Sequence, residues 1–338
     1  MKYKNVVNLV YNQPWAILPG TYATILDLIA FRANGGVLTE DEIRERIGAD
    51  WSAVSHPQAR NNRGAVAVLP LHGVISQRMN MMSAMSGGTS TELFGKMFRE
   101  AIADPAISGI VLDIDSPGGS VFGVHELWQT VLNARGEKPI VAMVNSMAAS
   151  AAYWIASAVD DIVVTPGGEV GSIGVLTGHT DLSAQLEMVG QKVTLISAGK
   201  KKLDGNPFEP LSEEARADLQ GRVDTYYATF VGAVAKGRGV TPSTVRNGFG
   251  EGSMVGAVEA VKLGMADRVG TLDVAIGRAS GRGGVRAEYD GNLAISTFDV
   301  SEADITSLND SWLTPISDAG DTDRRERRLA LQRLVAGD

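Results

Sequence analysis

The chain has 338 residues, 44% of them hydrophobic and 21% charged, ordinary for a globular protein and long enough for one large domain with appendages or for two. Its net charge of −8 excludes broad nucleic-acid binding by the whole surface, because neutralising phosphates needs a basic field. There is no cysteine, which removes disulfides, thiolate metal sites and cysteine nucleophiles and fits a reducing cytoplasm. His56, His72, His125 and His179 lack metal-ligand spacing, so neither a metal nor a cofactor is expected.

Asn5 to Leu26 carries no charge, but Asn5, Asn8, Asn12, Gln13, Pro14, Pro19 and Gly20 interrupt it. No small-residue cleavage site follows, so neither a membrane anchor nor a signal peptide is expected. Residues 1–60 read as a small helical N-terminal extension and linker. Tyr22 to Arg32 has apolar residues at helical intervals, Thr39 to Glu42 forms a capping box for a second helix through Ile47, and Val54 to Gly64 is polar and aperiodic.

From Ala65 the pattern alternates. Ala65–Leu71 and Val74–Ile75 read as strands, and Gln77 to Ser90 as a loop rich in methionine (Met79, Met81, Met82, Met85). Thr89 and Glu92 form a capping box for a helix to Ala103. A strand over Gly109–Ile114 follows, then Asp115-Ser-Pro-Gly-Gly-Ser120 and a helix over Val121–Arg135. Pro139–Val144 is strand-like, and Asn145 to Ala156 hands that strand to the apolar helix Ala151–Ala156, with Ser150 at the junction. Next come a strand over Asp161–Val164, the glycine-rich Gly167 to Gly174, a helix over Asp181–Val189 and a strand over Val193–Ile196. A long helix capped by Ser212 then runs toward Lys236. Strands alternating with helices over short connections predict a layered α/β domain with largely parallel pairing, over residues 61–278. Residues 279–338 lose periodicity and read as a flexible charged tail, whose end could be a basic amphipathic helix.

Three segments carry candidate chemistry. Ser150, at a strand-to-helix junction among small residues, has the setting of a serine nucleophile, although a tightly packed small-residue helix would look the same. Gly118-Gly119 lies at a strand end, where glycine lets backbone N–H groups approach a developing oxyanion. A hydroxyl needs a base at neutral pH, and lysine serves when its pKa is lowered by burial or neighbouring cations. Lys200, Lys201 and Lys202 offer that chemistry, but three consecutive lysines also describe a solvated turn.

The order of Ser-Pro-Gly-Gly-Ser, Met-Ala-Ala-Ser-Ala-Ala-Tyr-Trp-Ile-Ala, Gly-Ser-Ile-Gly-Val and Ala-Gly-Lys-Lys-Lys-Leu-Asp-Gly-Asn-Pro resembles that of the S49 serine peptidases. These signal peptide peptidase A-like enzymes lie within the ClpP/crotonase superfamily. The resemblance covers about residues 65 to 276 and ends on Leu263-Gly-Met-Ala-Asp-Arg-Val-Gly-Thr-Leu272. It implies a ClpP/crotonase-like layered fold of repeated ββα units. It also implies a Ser-Lys dyad of Ser150 and Lys202, with Gly119 and the amide of Ala151 as oxyanion donors. Lys200 and Lys201 are weaker candidates for the base, and Ala151-Ala152 stands where many members carry Gly-Gly.

The preface, the missing anchor and the loose C-terminus look most like the phage branch, the prohead or capsid maturation proteases. That likeness implies capsid, portal or scaffold proteins as substrates and a place in the host cytoplasm or the assembling prohead, while the net charge leads to the expectation of no nucleic-acid partner. It also implies a homo-oligomeric ring in which serine and lysine can come from adjacent subunits. Four readings remain beside it: a cytoplasmic signal-peptide-peptidase-like enzyme, a ClpP-like Ser-His peptidase using His179, a crotonase-fold acyl-CoA enzyme, and a non-catalytic assembly scaffold.

Overall fold

The structure, a computed structural model, describes residues 13–33, 59–61, 64–78 and 88–281. The helix expected before Ile47, residues 54–58 and 62–63 of the linker, the four methionines of the 77–90 loop and the tail from 282 lie outside the described residues.

In chain order the elements are β1 (Trp15–Ile17), α1 (Pro19–Ala33), β2 (Ala59–Asn61), β3 (Gly64–His72), β4 (Ile75–Ser76), β5 (Thr89–Ser90), α2 (Thr91–Ala103), β6 (Ile107–Ser116), β7 (Gly118–Ser120) and α3 (Val124–Asn133). Then follow β8 (Ile140–Ala149), α4 (Ala151–Ala156), β9 (Asp161–Val164), β10 (Glu169–Gly171), α5 (Ser183–Met188), α6 (Glu213–Arg238), α7 (Pro242–Gly248), β11 (Met254–Gly256), α8 (Ala257–Lys262), β12 (Arg268–Val269) and α9 (Leu272–Ala279).

The repeat expected from the motif order is visible in the topology. Long β3 and β6 run parallel in a large sheet, and each feeds a short strand, β4 or β7, of a second sheet before its helix, α2 or α3. The large sheet has the order β11-β10-β8-β6-β3-β2, and the small one β1-β7-β4-β5. In the third unit β8 passes directly into α4, and Ser150 stands between them. The fold is therefore α/β and layered, with parallel pairing at its centre.

Period-2 alternation assigns the faces of the large sheet. Val66, Val68, Val111, Val141, Met143 and Val163 pack under Val274, Ala275 and Ala279 of α9. The other parity, including Leu71, Ile110, Leu112, Ile114, Ala142, Val144 and Ile162, joins Phe94 and Phe98 of α2, Trp128 of α3 and all of α4 in the main core.

Several expected boundaries shift for physical reasons. Helix α2 is capped by Ser90 rather than Thr89: Ser90 Oγ accepts from Leu93 N at 3.4 Å and donates to Gln77 O at 3.0 Å. Helix α3 begins three residues late, because Gly123 at φ 79° lies against Thr91, whose Oγ1 would be 2.4 Å from any added Cβ. The strand expected over Val193–Ile196 is not formed, and its side chains lie in solvent. Part of the linker, Ala59–Asn61, is instead a strand antiparallel to β3. The Ser212 cap of α6 stands as expected, accepting from Ala215 N at 3.2 Å, and Gly239 at φ 68° ends that helix.

Candidate active site

Strand β8 is straight while it pairs with β6 and β9, and then its register breaks between Ile114 and Ser116 of the partner strand. Ser146 at φ 90° marks the break, and Met147–Ala149 pair with β10. Ser150 follows at φ 54°, ψ −115°, a region that serine rarely adopts and that costs about 1–3 kcal/mol. The surroundings fix it. Ser150 N donates to Gly171 O at 2.7 Å, Ser150 O accepts from Trp154 N at 2.9 Å, and α4 behind it is buried throughout.

A serine before a helix normally caps it through its hydroxyl. Ser150 does not: its Oγ makes no cap bond and points to Gly174 O at 3.4 Å. The residue is 1% exposed, so the hydroxyl is held in a confined, water-poor place. Ala151, the first residue of α4, has an amide with no intrahelical acceptor.

The paired glycines abut this serine. An added Cβ on Gly118 (φ 95°) would lie 3.0 Å from Ser150 Cβ and from Ala149 O, and 2.3 Å from Ala16 O. On Gly119 it would lie 1.9 Å from Ile75 O. Ser116 secures the turn, donating from Oγ to Gly73 O at 2.6 Å and accepting from Gly118 N at 3.2 Å. The structure thus brings Ser150, Gly118-Gly119 and Ala151 together.

It does not bring the lysines to them. Among the described residues the hydroxyl of Ser150 has no bond to any lysine. Lys200 pairs with Glu214 at 3.2 Å and Lys201 with Asp218. The hydrogen bond from Lys201 to Asp218 raises the ammonium pKa, the wrong direction for a base. Lys202 is exposed and forms no ion pair among the described residues. His179, the alternative base, bonds Asn206 O at 2.9 Å within the segment 174–214 that also carries the three lysines. His125 stacks on Trp128.

Sequence reasoning missed two contributors. One is the carbonyl of Gly174, which a side-chain motif does not reveal. The other is β1, read as part of a helical preface. It is a three-residue strand bounded by Pro14 and Pro19, too short for a period to show. Among the described residues no group of three or more His, Asp or Glu is placed to hold a metal, and no helix is long and apolar enough to cross a membrane.

A buried hydroxyl on a strained strand-to-helix turn, beside glycine backbone and a helix start, matches the way serine nucleophiles are presented on α/β scaffolds. Comparison points the same way. Residues 133–286 match the model of peptidase family S49. Capsid assembly protease C of Escherichia phage lambda is 29% identical over 327 residues, 90% of this chain and 73% of that protein. Head-tail preconnector protein GP5 of Enterobacteria phage P21 is 35% identical over 204 residues, 60% of this chain but 40% of its own length. A putative signal peptide peptidase SppA of Enterococcus faecium is 28% identical over 211 residues, 62% of this chain and 59% of that one. The resemblance to S49 peptidases read from the motif order stands, and two of these relatives are phage proteins named for capsid assembly and for the head-tail preconnector.

Proposed function

We propose that this protein is a serine endopeptidase that hydrolyses peptide bonds in capsid, portal or scaffold proteins during phage head assembly, in the host cytoplasm or the forming prohead. The observation that carries the reading is the Ser150 junction: strained backbone, no cap bond, and glycine main chain against the hydroxyl. The names of the lambda and P21 relatives supply the assembly setting.

In this reading Ser150 Oγ attacks the scissile carbonyl, and the amides of Gly119 and Ala151 hold the oxyanion. Lys202 Nζ takes the hydroxyl proton and returns it to the leaving amine. The lysine comes from a neighbouring subunit of a homo-oligomeric ring. Two features favour that. Lys201 is held by Asp218 and Lys200 by Glu214, leaving Lys202 unengaged among the described residues. The excursion carrying it contributes no buried side chain between Ile173 and Ala215, yet exposes Met188, Val189, Val193, Leu195, Ile196 and Phe208. Apolar side chains exposed in such density mark a protein contact, and a partner there would also desolvate the ammonium and lower its pKa.

The test is coexpression with candidate capsid, portal or scaffold proteins, read by intact mass. Wild type shortens one or more of them, while Ser150→Ala and Lys202→Ala leave all at full length. Activity retained in Lys202→Ala but lost in His179→Ala overturns the dyad. Absence of Ser150 labelling by a fluorophosphonate in assembled protein overturns the serine mechanism.

A further inference from the structure

We propose that residues 14–18 are a built-in occupant of the groove in which this protein takes an extended peptide, and that a substrate strand must displace them before Ser150 can act. The inference rests on the peptide-hydrolase reading of the site and adds its substrate posture and its regulation.

The main chain carries the argument. Strand β1 lies antiparallel to β7, with Trp15 opposite Ser120, Ala16 opposite Gly119 and Ile17 opposite Gly118. Its other edge forms an antiparallel bridge to Leu176: Trp15 N donates to Leu176 O at 2.8 Å, and Leu176 N to Trp15 O at 2.9 Å. Both flanking segments belong to the nucleophile's surroundings. One carries the Gly118-Gly119 backbone, and the other begins at Gly174, whose carbonyl receives the Ser150 hydroxyl. A chain segment therefore already runs between the two edges beside Ser150. Ala16 O and Ser150 Cβ both lie within 3.0 Å of the point where a Gly118 Cβ would stand.

The far edge of β7 pairs with β4, so no other edge of the glycine strand is open. Recognition by strand addition draws its affinity from main-chain hydrogen bonds and its selectivity from alternate side chains. Any peptide using this edge has to take the place of β1.

The side chains of the segment fit an occupant. Ala16, opposite Gly119, is fully buried among the main core residues, whereas Trp15 and Ile17 enter a separate small cluster with Tyr22, Ile25, Leu26, Val74 and Leu176. The larger side chains are thus anchored in a satellite cluster, and displacing β1 takes only the methyl group of Ala16 out of the main core. Further ties include Leu18 N to Pro117 O at 3.0 Å, Val121 N to Pro14 O at 3.4 Å and Thr177 Oγ1 to Gln13 O at 3.3 Å. The register puts a small side chain opposite the oxyanion glycine, so a displacing peptide carries a small residue there.

The test uses the full chain and the synthetic peptide Gln-Pro-Trp-Ala-Ile-Leu-Pro, a copy of residues 13–19. In the non-cleaving Ser150→Ala protein, saturating peptide speeds hydrogen exchange of the Trp15 and Leu18 amides about tenfold or more, while those of Val121 and Leu176 stay protected. In the Trp15→Ala/Ile17→Ala protein the anchor is lost, and fluorophosphonate labelling of Ser150 quickens about tenfold as the tethered competitor is weakened. Protection of the Trp154 amide reports that the core of this variant is folded; if it is lost, the exchange arm alone decides. Peptide that binds without freeing Trp15, or fails to bind, overturns the proposal and leaves the peptidase reading standing. Exchange that responds as stated in a protein whose Ser150 never labels supports the occupant and sinks the peptidase reading instead.

Discussion

Ser150 pays for its position in backbone strain, and the cost is met by a buried helix behind it and a short bond from its own amide to Gly171. The same logic applies to the glycines. Gly119→Ala pushes a methyl into Ile75 O, which the parallel β4–β7 pairing cannot yield without moving the whole turn. Loss of one oxyanion donor typically costs about 100-fold or more in turnover. If Gly119 holds the oxyanion as proposed, moving its amide by Gly119→Ala lowers the second-order labelling rate of Ser150 by at least that order, while thermal denaturation still shows a cooperative transition. Next to this turn, His72 Nε2 lies 3.3 Å from Asp113 Oδ2 across the β3–β6 pair. The hydrogen bond to Asp113, partly opposed by burial, raises the imidazole above its ordinary 6.5. A raised folded-state pKa stabilises fully below 6.5 and loses that contribution as pH rises through the higher folded value. His72→Gln should thus flatten the fall in Tm above neutrality and cost about 0.5 kcal/mol or less at pH 6, because the ring is part exposed. An unchanged pH profile would remove His72 from that account. At this scale the strand-to-helix junction at Ser150 and the glycine turn beside it were legible, since strand ends and small residues write themselves into sequence. The proposal of Lys202 as base rests on the family's motif, because nothing in Lys200-Lys201-Lys202 alone separates the three.

The elements behind the site are tied at one place. Arg238, at the end of α6, grips Asp267 through two bonds of 2.9 and 2.8 Å and Gly264 O at 3.0 Å, and Asp267 Oδ2 also accepts from Ile162 N of β9 at 2.7 Å. Nearby, Arg135 reaches Ala158 O, Ser157 O, Val159 O and Gly237 O, joining the ends of α3, α4 and α6. Burial alone would raise the Asp267 carboxyl, but the bonds and charge of Arg238 outweigh it and hold it below the ordinary 3.8. A depressed carboxylate stabilises above its unfolded value and loses that contribution as pH falls through the folded one. Asp267→Asn, which leaves the largely buried guanidinium short of its counter-charge, is expected to cost about 2–4 kcal/mol at pH 7. The gap to wild type should close in urea titrations as pH falls below 4, and a constant gap would refute the linkage. These tertiary ties were not legible: Arg135, Arg238 and Asp267 are far apart in sequence, and each looks like surface charge. The opposite error befell Val193–Ile196, which the apolar pattern marked as a strand. Hydrophobicity reports that a segment is to be covered, not by what, and Ile196 is 96% exposed.

For the whole molecule the proposed dyad raises the question of which chain would supply Lys202. The 174–214 segment bearing it keeps its apolar side chains outside its own core, and α6 has no fully buried residue between Ala215 and Phe230. A site completed by a neighbour makes a prediction that a site within one chain cannot share. Ser150→Ala supplies a sound lysine and Lys202→Ala a sound serine, and each alone is inactive. Assembled together in equal amounts, a shared site regains a sound serine facing a sound lysine at about one junction in four, as random neighbours in a cyclic assembly require. Mixing should therefore restore about a quarter of the wild-type rate of head-protein cleavage, and only after the subunits are allowed to exchange. A dyad within one chain regains nothing at any ratio. Activity should also fall on dilution faster than in proportion to concentration, and strict proportionality down to the monomer would place Lys202 in the same chain as the serine it serves.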